Sequence, residues 1–269
     1  MLTDNSNIQR NRNNIEPAVS AVMAAYNAEK TILSSINSVI SQTYRNWELI
    51  VIDDCSQDST VHIVRSIAEK EPRVRLYENQ KNTGVAQSRN FGVKQARSDW
   101  IAFLDSDDRW REDKLTRQMR FIAETGAKIS YTATAYTDAA GVVSSYVLRA
   151  KRVFTYKELL KRNIMSCSSV IVWRDIMARI PFTENVLHED YATWMRILRE
   201  VKCAYGLDEP LLIYRISGSS KSGKRIRSAK MTYCAYREVK FGRAAAALLT
   251  LRYALHSISK HTMIRIGRI

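Results

Sequence analysis

The residues of this chain best suited to chemistry are alternating carboxylates. Asp105 and Asp107 flank Ser106 and directly follow the apolar run Trp100–Leu104. Mg²⁺ and Mn²⁺ prefer oxygen ligands, and proteins usually hold them with one or two carboxylates together with the phosphates of a substrate. The alternative is an acidic turn that caps the helix expected from Arg111 onward. The spacing therefore makes Asp105 and Asp107 candidate ligands for a divalent cation.

Two further residues suit a nucleotide that carries phosphates. Asp54 follows the apolar run Trp47–Ile52, where its carboxylate would accept a hydrogen bond from a base N–H or a ribose hydroxyl, or else form an Asx turn. Arg89 lies one turn into a helix expected to open at Gly84, and both a helix N-terminus and a guanidinium bind phosphate. Taken alone, Arg89 is also compatible with a solvated charge on a helix surface.

These residues stand at the ends of regularly alternating elements. Four short apolar runs each end in a polar segment, and apolar residues at helical spacing follow the first three. The runs are Val19–Ala24, Trp47–Ile52, Val74–Tyr77 and Trp100–Leu104. Successive β-α units with short loops predict an α/β fold in which helices cover both faces of a mostly parallel sheet. Such sheets bind ligands beyond the carboxyl ends of their strands, which is where Asp54 and Asp105 occur.

Motifs and composition argue against several other classes. No G-x-G-x-x-G follows the first apolar run and no G-x-x-x-x-G-K-[ST] occurs, which disfavours dinucleotide dehydrogenases and P-loop NTPases. With 45% hydrophobic and 26% charged residues over 269 positions, the chain has the composition of a globular protein with a real core. Its four cysteines are far apart and form no C-x-x-C pair, which favours a reducing cytoplasm over a disulfide framework or a zinc site.

The positive charge of the chain, +15 in total, is concentrated near its end. From Arg215 to Ile269 there are 13 Lys and Arg residues and a single acidic residue, Glu238. A basic end on a balanced body predicts docking to an anionic surface, either phospholipid or nucleic acid. Residues 1–16 are rich in Asn and lack a long apolar run, so we interpret them as a flexible segment rather than a secretory signal. No run approaches the ~18 apolar residues of a membrane-spanning helix.

Taken together, the motifs resemble glycosyltransferase family 2, which has the GT-A fold of nucleotide-diphospho-sugar transferases, and in particular its bacterial O-antigen, capsule and teichuronic acid enzymes. The matching stretches follow the family order over roughly residues 17–240. They are Val19–Gln42, Trp47–Asp58, Asn82–Gly92, Trp100–Trp110, His188–Leu198 and Tyr205–Arg215. The resemblance implies a catalytic domain at 17–215, with a nucleotide-binding half at 17–110 and an acceptor-binding half at 111–215, followed by a basic, mainly helical extension at 216–269.

The resemblance also implies roles for individual residues. The nucleotide-binding positions are Ala24, Tyr26, Glu29, Asp54, Arg89 and Asp105, and the ligands of a Mn²⁺ or Mg²⁺ ion are Asp107 with Asp105 beside it. On the acceptor side, Asp190 matches the general base, and Glu189, Trp194 and His188 accompany it. Without the family, Asp190 is also explained as an acidic residue that the macrodipole favours at a helix N-terminus. A structural or solvated role is the alternative for His188.

The chain departs from the family after Arg215. Many relatives carry a histidine there that reaches the metal or the diphosphate, whereas this chain continues from Ile216 into a Gly- and Ser-rich segment without histidine. Because such a segment is flexible, Ser219, Ser220 and Lys221 are the alternative contacts to the diphosphate.

The C-terminal segment has a helical pattern of apolar residues. Leu248, Leu251, Leu255 and Ile258 recur at a spacing of three or four, beside a polar stripe that includes Arg252. The pattern is typical of a helix that lies in a bilayer interface, where each basic residue near anionic lipid contributes ~1 kcal/mol. The alternative is that the leucines pack on the catalytic domain. The first interpretation predicts a peripheral protein on the inner, cytoplasmic face of the bacterial membrane.

The resemblance implies an inverting, metal-dependent enzyme that moves a hexose from a UDP-sugar to a lipid-linked sugar in surface polysaccharide synthesis. It suggests UDP-galactose as donor and GlcNAc on undecaprenyl diphosphate as acceptor, with glucose, GlcNAc and rhamnose donors left open. Two other classes remain: a catalytically silent nucleotide-sugar-binding protein, and a nucleic-acid-binding protein that uses the basic tail. No recognition motif accompanies the cations, which disfavours nucleic acid. A silent binder would not need the candidate base Asp190.

Overall fold

The computed structural model of the chain describes residues 18–138, 141–184, 188–216 and 225–266. Several sequence-based expectations lie outside the described residues: the flexible segment at 1–16, the contacts of Ser219, Ser220 and Lys221, and the side chain of Ile258. Within the described ranges the fold is α/β, and it confirms the prediction of a central sheet with helices on both faces.

Strands and helices alternate through the first part of the chain, as predicted. The strands of the described ranges are β1 (Val19–Ala25), β2 (Trp47–Asp53), β3 (Val74–Glu78), β4 (Trp100–Phe103), β5 (Arg109–Trp110), β6 (Ile129–Thr137), β7 (Val143–Leu148), β8 (Val153–Thr155), β9 (Ile171–Trp173) and β10 (Cys203–Arg215). The helices there are α1 (Ile32–Ile40), α2 (Thr60–Ala68), α3 (Val85–Gln95), α4 (Lys114–Thr125), α5 (Tyr156–Leu159), α6 (Arg174–Arg179), α7 (Glu189–Val201), α8 (Arg225–Glu238) and α9 (Arg243–Ile266). Cys167–Ser169 form a 3-10 turn.

One sheet runs through the described part of the chain in the order β3-β2-β1-β4-β9-β6-β10-β5, while β7 pairs with β6 and β8 with β10. The first four strands in this order are parallel, as the β-α units predict. The second half is mixed, because β9 runs antiparallel to both β4 and β6 whereas β6 and β10 are parallel to each other. The sequence pattern predicts the first half of the sheet but not the insertion of β9.

The sheet separates two apolar cores, because successive side chains of a strand point to opposite faces. On β1, Ala21 and Met23 face one core and Val22 faces the other. Helices α1, α2 and α4 cover the first face, and α3, α7 and α8 cover the second. Since the central strands are buried on both faces, their sequences are continuous apolar runs rather than alternating ones.

Helix α3 lies unusually close to the sheet. A Cβ atom placed on Gly92 would lie 2.5 Å from Cγ1 of Val22 on β1 and 3.4 Å from Cγ1 of Ile52 on β2. Any larger residue at this position would therefore push the helix away from the strands. The contact fixes the position of Arg89, which lies about one turn earlier on the same helix.

Helices α8 and α9 form a hairpin that packs against α7. Tyr236 of α8 is fully buried, and its hydroxyl donates a hydrogen bond to the carbonyl oxygen of Leu160 at 2.7 Å. The same hydroxyl lies 2.9 Å from that of Tyr191 on α7. Tyr253 of α9 also contacts Tyr191, with ring centroids 5.4 Å apart. Three tyrosines therefore fasten the C-terminal hairpin to the helix that begins with Glu189.

Helix α9 has a second apolar face that no described residue covers. Leu248, Leu251 and Leu255 are 69%, 61% and 64% exposed. For these three leucines the structure contradicts packing on the catalytic domain, since Ala246 and Tyr253 occupy the inward positions instead. Across the described ranges, helices of sufficient length and hydropathy to cross a bilayer do not occur.

Candidate active site

Adjacent strand ends bring the predicted nucleotide-binding residues to one edge of the sheet. β1 lies between β2 and β4, parallel to both, and Ala25 stands opposite Asp53. The residues just beyond these ends, Tyr26, Asp54 and Asp105, therefore share the edge at which ligands of α/β sheets bind.

The turn after β1 presents an aromatic ring on a fixed backbone. Tyr26 is 51% exposed, Ala24 is half-buried and Glu29 is exposed. The backbone N–H of Ala28 donates to Oγ1 of Thr60 at 2.8 Å, and the Glu29 carboxylate accepts from the Ser59 N–H at 3.2 Å. These bonds tie the turn to the start of α2. The predicted contacts of Ala24, Tyr26 and Glu29 with a nucleotide remain predictions.

Asp54 lies in the wall of the site rather than on its surface. Its side chain is 3% exposed and accepts hydrogen bonds from the backbone N–H groups of Thr83 at 2.9 Å and Gly84 at 2.8 Å, and from Nδ2 of Asn79 at 2.8 Å. Burial acts to raise the pKa of Asp54, but these hydrogen bonds outweigh it and hold the pKa below its usual value. The chain's own donors thus occupy the carboxylate and anchor the start of α3. The contact of Asp54 with a base or ribose remains a prediction.

Arg89 bridges two parts of the site. Its guanidinium lies 2.5 Å from Asp105 and 2.8 Å from Glu189, and 5.3 Å above the ring of Phe182. The residue is only 4% exposed. Two carboxylates engage the guanidinium, so Arg89 joins the acidic turn after β4 to the start of α7. The contact of Arg89 with a diphosphate remains a prediction.

A buried network fixes the shape of the acidic turn. The backbone N–H of Asp105 donates to Oγ of Ser168 at 3.0 Å, and that hydroxyl donates to Asp108 at 2.7 Å. The other oxygen of Asp108 accepts the backbone N–H of Arg215 at 3.0 Å, and Nε of Arg215 donates to the carbonyl oxygen of Asp107 at 3.3 Å. Burial and the negative charges of Asp107 and Asp105 raise the pKa of Asp108 well above its usual value.

Sequence reasoning missed the roles of Asp108 and Ser168. Asp108 could have been found, because it is the last member of the acidic stretch that follows β4. Ser168 carries no comparable signal, since it lies 60 positions from Asp108 in an ordinary Ser-rich stretch. Its carbonyl oxygen also accepts Nε1–H of Trp110 at 2.7 Å, so the 3-10 turn is held from two sides.

Asp190 is the candidate general base. Burial and, after it, the neighbouring charge of Glu189 raise its pKa to about 7, against the opposing effect of Arg89. One carboxylate oxygen accepts the backbone N–H of Tyr191 at 2.7 Å, which fixes its orientation. A base with a pKa near the working pH transfers protons efficiently.

The thiol of Cys167 lies in the same electrostatic environment as Asp190, and burial raises the pKa of this thiol well above its usual value.

The other two residues predicted on the acceptor side differ in exposure. His188 is half-buried at the start of α7, and burial lowers its pKa. Its Nδ1 has no hydrogen-bond partner among the described residues. Trp194 is fully buried, with its ring 5.7 Å from that of Phe182 and 6.2 Å from that of Phe103. The inward face of α7 places Trp194 in the core. Its position beside an acceptor remains a prediction.

The acidic turn fits a divalent cation that shares its ligands with a substrate. Within the described ranges, no three His, Cys, Asp or Glu side chains are arranged to hold a metal by themselves. Mg²⁺, however, is usually bound by one or two carboxylates and completed by substrate phosphates. Asp107 is half-buried, and burial together with the charge of Asp105 raises its pKa to about 6. A cation here would relieve the crowding of negative charge.

The parallel strand ends, the acidic turn and the candidate base at the start of α7 are the features expected of a GT-A glycosyltransferase. The chain belongs to glycosyl transferase family 2, whose sequence profile matches residues 20–178. It is 32% identical over 248 residues to the putative teichuronic acid biosynthesis glycosyltransferase TuaG of Bacillus subtilis, covering 92% of this chain and 98% of that protein. It is 33% identical over 249 residues to the UDP-Glc:alpha-D-GlcNAc-diphosphoundecaprenol beta-1,3-glucosyltransferase WfgD of Escherichia coli, covering 90% and 94%. The resemblance predicted from the motifs is confirmed.

Solved structures agree with the fold. TarS 1-349 of S. aureus in complex with UDP-GlcNAc has a TM-score of 0.68 at 20% identity, over 87% of this chain and 70% of that one. The mannosyltransferase PcManGT from Pyrobaculum calidifontis in complex with GDP-Man and Mn²⁺ has a TM-score of 0.68 at 18% identity, over 93% and 76%. At these identities the likeness shows the GT-A fold alone.

Proposed function

We propose that this chain is an inverting, metal-dependent hexosyltransferase of bacterial surface polysaccharide synthesis, with a UDP-sugar as donor and a lipid-linked sugar as acceptor. The observation that carries the proposal is the position of Arg89 between Asp105 and Glu189. This bridge brings the acidic turn and the candidate base Asp190 into one centre. A donor diphosphate and an acceptor hydroxyl therefore have complementary groups on two sides of the same site.

The reaction needs one base and one displacement. Asp190, ionised, takes the proton of the acceptor hydroxyl, a step that contributes about 10²–10⁴-fold when the base is well placed. The hydroxyl oxygen bonds to the anomeric carbon while the bond from that carbon to the diphosphate oxygen breaks, and the electron pair stays on the diphosphate. A single displacement of this kind inverts the anomeric configuration.

The residues near the departing diphosphate have a supporting role. Asp107, with Asp105 beside it, would hold the Mn²⁺ or Mg²⁺ ion. When bound, the ion supplies positive charge for the leaving diphosphate. The Arg89 bridge holds Asp105 in place, and the Asp108 network orients the backbone of Asp107.

The proposed substrates follow from the relatives. WfgD is named for UDP-Glc and for GlcNAc linked to diphosphoundecaprenol, and TarS is solved with UDP-GlcNAc. Both donors carry UDP, for which the exposed ring of Tyr26, with Ala24 and Glu29 beside it, offers a stacking surface. We therefore propose a UDP-hexose donor, with UDP-galactose and UDP-glucose as the two to compare, and GlcNAc on undecaprenyl diphosphate as acceptor.

We further propose that the C-terminal hairpin holds the enzyme at the inner face of the cytoplasmic membrane. Leu248, Leu251 and Leu255 point outward from α9. The segment from Arg215 to Ile269 has 13 basic residues and one acidic residue. Exposed leucines beside cations are what an anionic lipid surface attracts.

The proposal is tested by transfer to a synthetic lipid-linked GlcNAc diphosphate, using UDP-galactose, UDP-glucose, UDP-GlcNAc and dTDP-rhamnose in turn, with Mn²⁺ or with EDTA. We expect transfer from one UDP-hexose, an inverted linkage by NMR, and no product with EDTA. Binding of UDP without turnover of any donor would instead indicate a silent nucleotide-sugar-binding protein.

A variant pair tests the metal site. Asp107→Asn removes the carboxylate assigned to the ion, whereas Asp99→Asn removes an exposed carboxylate at the opposite end of β4. We expect Asp107→Asn to abolish Mn²⁺-dependent transfer and Asp99→Asn to retain it. Equal activity of the two variants would contradict the assignment.

A further inference from the structure

Helices α8 and α9 form a shallow, open apolar cleft between them. Its volume is about 420 Å³, and its walls are Ala229 and Tyr233 of α8 and Ala247, Thr250 and Ala254 of α9. At a rise of 1.5 Å per residue, the wall from Ala247 to Ala254 is about 10 Å long. The cleft is therefore elongated and follows the helix axes.

The lining distinguishes the cleft from the leucine face beside it. Alanine and threonine side chains leave a concave slot, whereas Leu248 and Leu255 protrude on the neighbouring face of α9. Protruding leucines suit insertion among many lipid tails, but a slot between two helices suits one extended hydrocarbon chain. Leu251 belongs to both surfaces, so a chain in the slot would continue directly onto the leucine face.

Charge at the cleft favours a chain with an anionic head. Lys230 lines the cleft, and Arg243 is exposed on α9 one turn before Ala247. The only acidic residue after Arg215 is Glu238. The positive charge around the cleft would not attract a neutral lipid, but it would attract a diphosphate attached to the hydrocarbon chain.

One helix of the cleft also contacts the helix of the candidate base. Tyr253, which directly precedes Ala254, contacts Tyr191 with ring centroids 5.4 Å apart, and Tyr191 directly follows Asp190. Helix α9 therefore lines the cleft and also packs against α7, the helix that carries the candidate base.

We propose that the cleft between α8 and α9 binds the isoprenoid chain of a polyprenyl-diphosphate-linked acceptor. The inference rests on the proposed function for the identity of the acceptor, and it extends that function by giving the lipid part its own binding site. The leucine face then holds the enzyme at the bilayer, while the cleft selects one chain and aligns its sugar with Asp190.

The test uses the full chain and a benzophenone-labelled farnesyl diphosphate below its critical micelle concentration, without vesicles or donor. After irradiation, we expect labelled peptides from 229–233 and 247–254. Ala254→Trp and Ala247→Trp fill the slot and should reduce labelling about tenfold or more, as expected when several methylene contacts are lost. Ala245→Trp is the matched control, because it adds the same indole at an exposed position on the other side of α9. Thermal melting checks that each variant is folded.

Three results would overturn the inference. The first is equal labelling of Ala254→Trp and Ala245→Trp. The second is equal competition by lysophosphatidylglycerol and by unlabelled farnesyl diphosphate, which would indicate a site for ordinary acyl chains. The third is a dimer in light scattering that Ala254→Trp converts to a monomer, which would make the cleft an interface between copies. Labelling of the cleft in a protein that transfers no sugar would remove the proposed function and leave the lipid site in place.

Discussion

At the scale of single residues, the proposed reaction depends on a carboxylate, Asp190, that ionises near neutral pH. Because the pKa of Asp190 is raised to about 7, the carboxylate is protonated below that pH and cannot accept a proton. We therefore expect kcat/KM to fall as the pH drops through about 7, and Asp190→Asn to lose about 10²–10⁴-fold in kcat. The measurement is a pH profile of transfer, with binding of UDP as the control for folding.

Glu189 provides a second test of the same assignment. Glu189→Gln removes a negative charge next to Asp190 and leaves the charge of Arg89 less neutralised, and both changes lower the pKa of Asp190. The acid limb of the pH profile should therefore move to lower pH, whatever happens to the maximal rate. A profile whose acid limb stays in place would show that Asp190 does not govern it.

Ser168 is expected to act through the acidic turn. Ser168→Ala removes the acceptor for the Asp105 N–H and the donor to the buried Asp108 carboxylate, so about 1–3 kcal/mol of unfolding free energy should be lost. If Ser168 had only a structural role, the loss of stability would be the only effect of the substitution. We also expect a lower apparent affinity for Mn²⁺ in transfer assays, because the backbone of Asp105 and Asp107 loses its support. Ser166→Ala, in the same turn but with only a 3.5 Å contact to Thr134, is the control.

The sequence predicts which residues are candidates for the site better than it predicts their hydrogen-bond and packing partners. Asp107 is a candidate because it follows an apolar run, and Asp190 is a candidate because it opens a helical pattern. The partners of Asp54, Arg89 and Trp194 could not be predicted, since they depend on contacts between distant parts of the chain. The Arg89–Glu189 bond spans 100 positions, and local pattern carries no information about it.

At the scale of elements, α4 contains a buried lysine that packs against Trp110. Lys114 is fully buried, with Nζ 2.7 Å from Oε1 of Gln118 and 4.3 Å from the centre of the Trp110 ring. Burial lowers its pKa to about 7, from an unfolded value near 10.5. Between these two values the unfolded chain binds more protons, so this residue makes stability rise with pH across that window and fall as the pH drops towards 7.

Lys114→Met should remove that dependence. Methionine has a similar length and no charge, so the slope of unfolding free energy between pH 7 and pH 10 should be smaller than in the wild type. Denaturant unfolding at several pH values gives the slope of unfolding free energy against pH for each protein. The contributions of all other titrating groups cancel when the two slopes are compared. Identical slopes would mean that Lys114 is solvated in the native protein.

The β-α units and the C-terminal helix are elements that local pattern predicts well. Continuous apolar runs mark β1, β2 and β4, and helical spacing marks α1 and α2. The mixed half of the sheet is different. β9 has only three residues, and its place between β4 and β6 is set by packing with strands far away in sequence. The sequence of α9 likewise does not show which of its two apolar faces is buried, because this depends on how the hairpin packs on α7.

At the scale of the whole molecule, the exposed leucines predict reversible membrane binding. Leu248→Ser combined with Leu255→Ser should weaken binding to phosphatidylglycerol vesicles by at least about tenfold, because each buried leucine contributes roughly 1.5–3 kcal/mol. Vesicle flotation measures the effect. Leu33→Ser, which changes a 49% exposed leucine on α1, is the control. Binding of the wild type should also fall with added salt, and binding indifferent to both leucines and salt would contradict the membrane face.

The Arg89 bridge constrains how such enzymes can be recombined. The guanidinium belongs to the part of the chain that the family profile covers, whereas Glu189 lies beyond residue 178, where the profile ends. A hybrid that joins the first part of this protein to the second part of a relative would bury a cation opposite whatever residue the relative supplies. If the relative has no carboxylate in place of Glu189, the hybrid would contain the buried charge of Arg89 without its second partner. Exchange of acceptor specificity by swapping halves therefore requires that this ionic link be transferred with them.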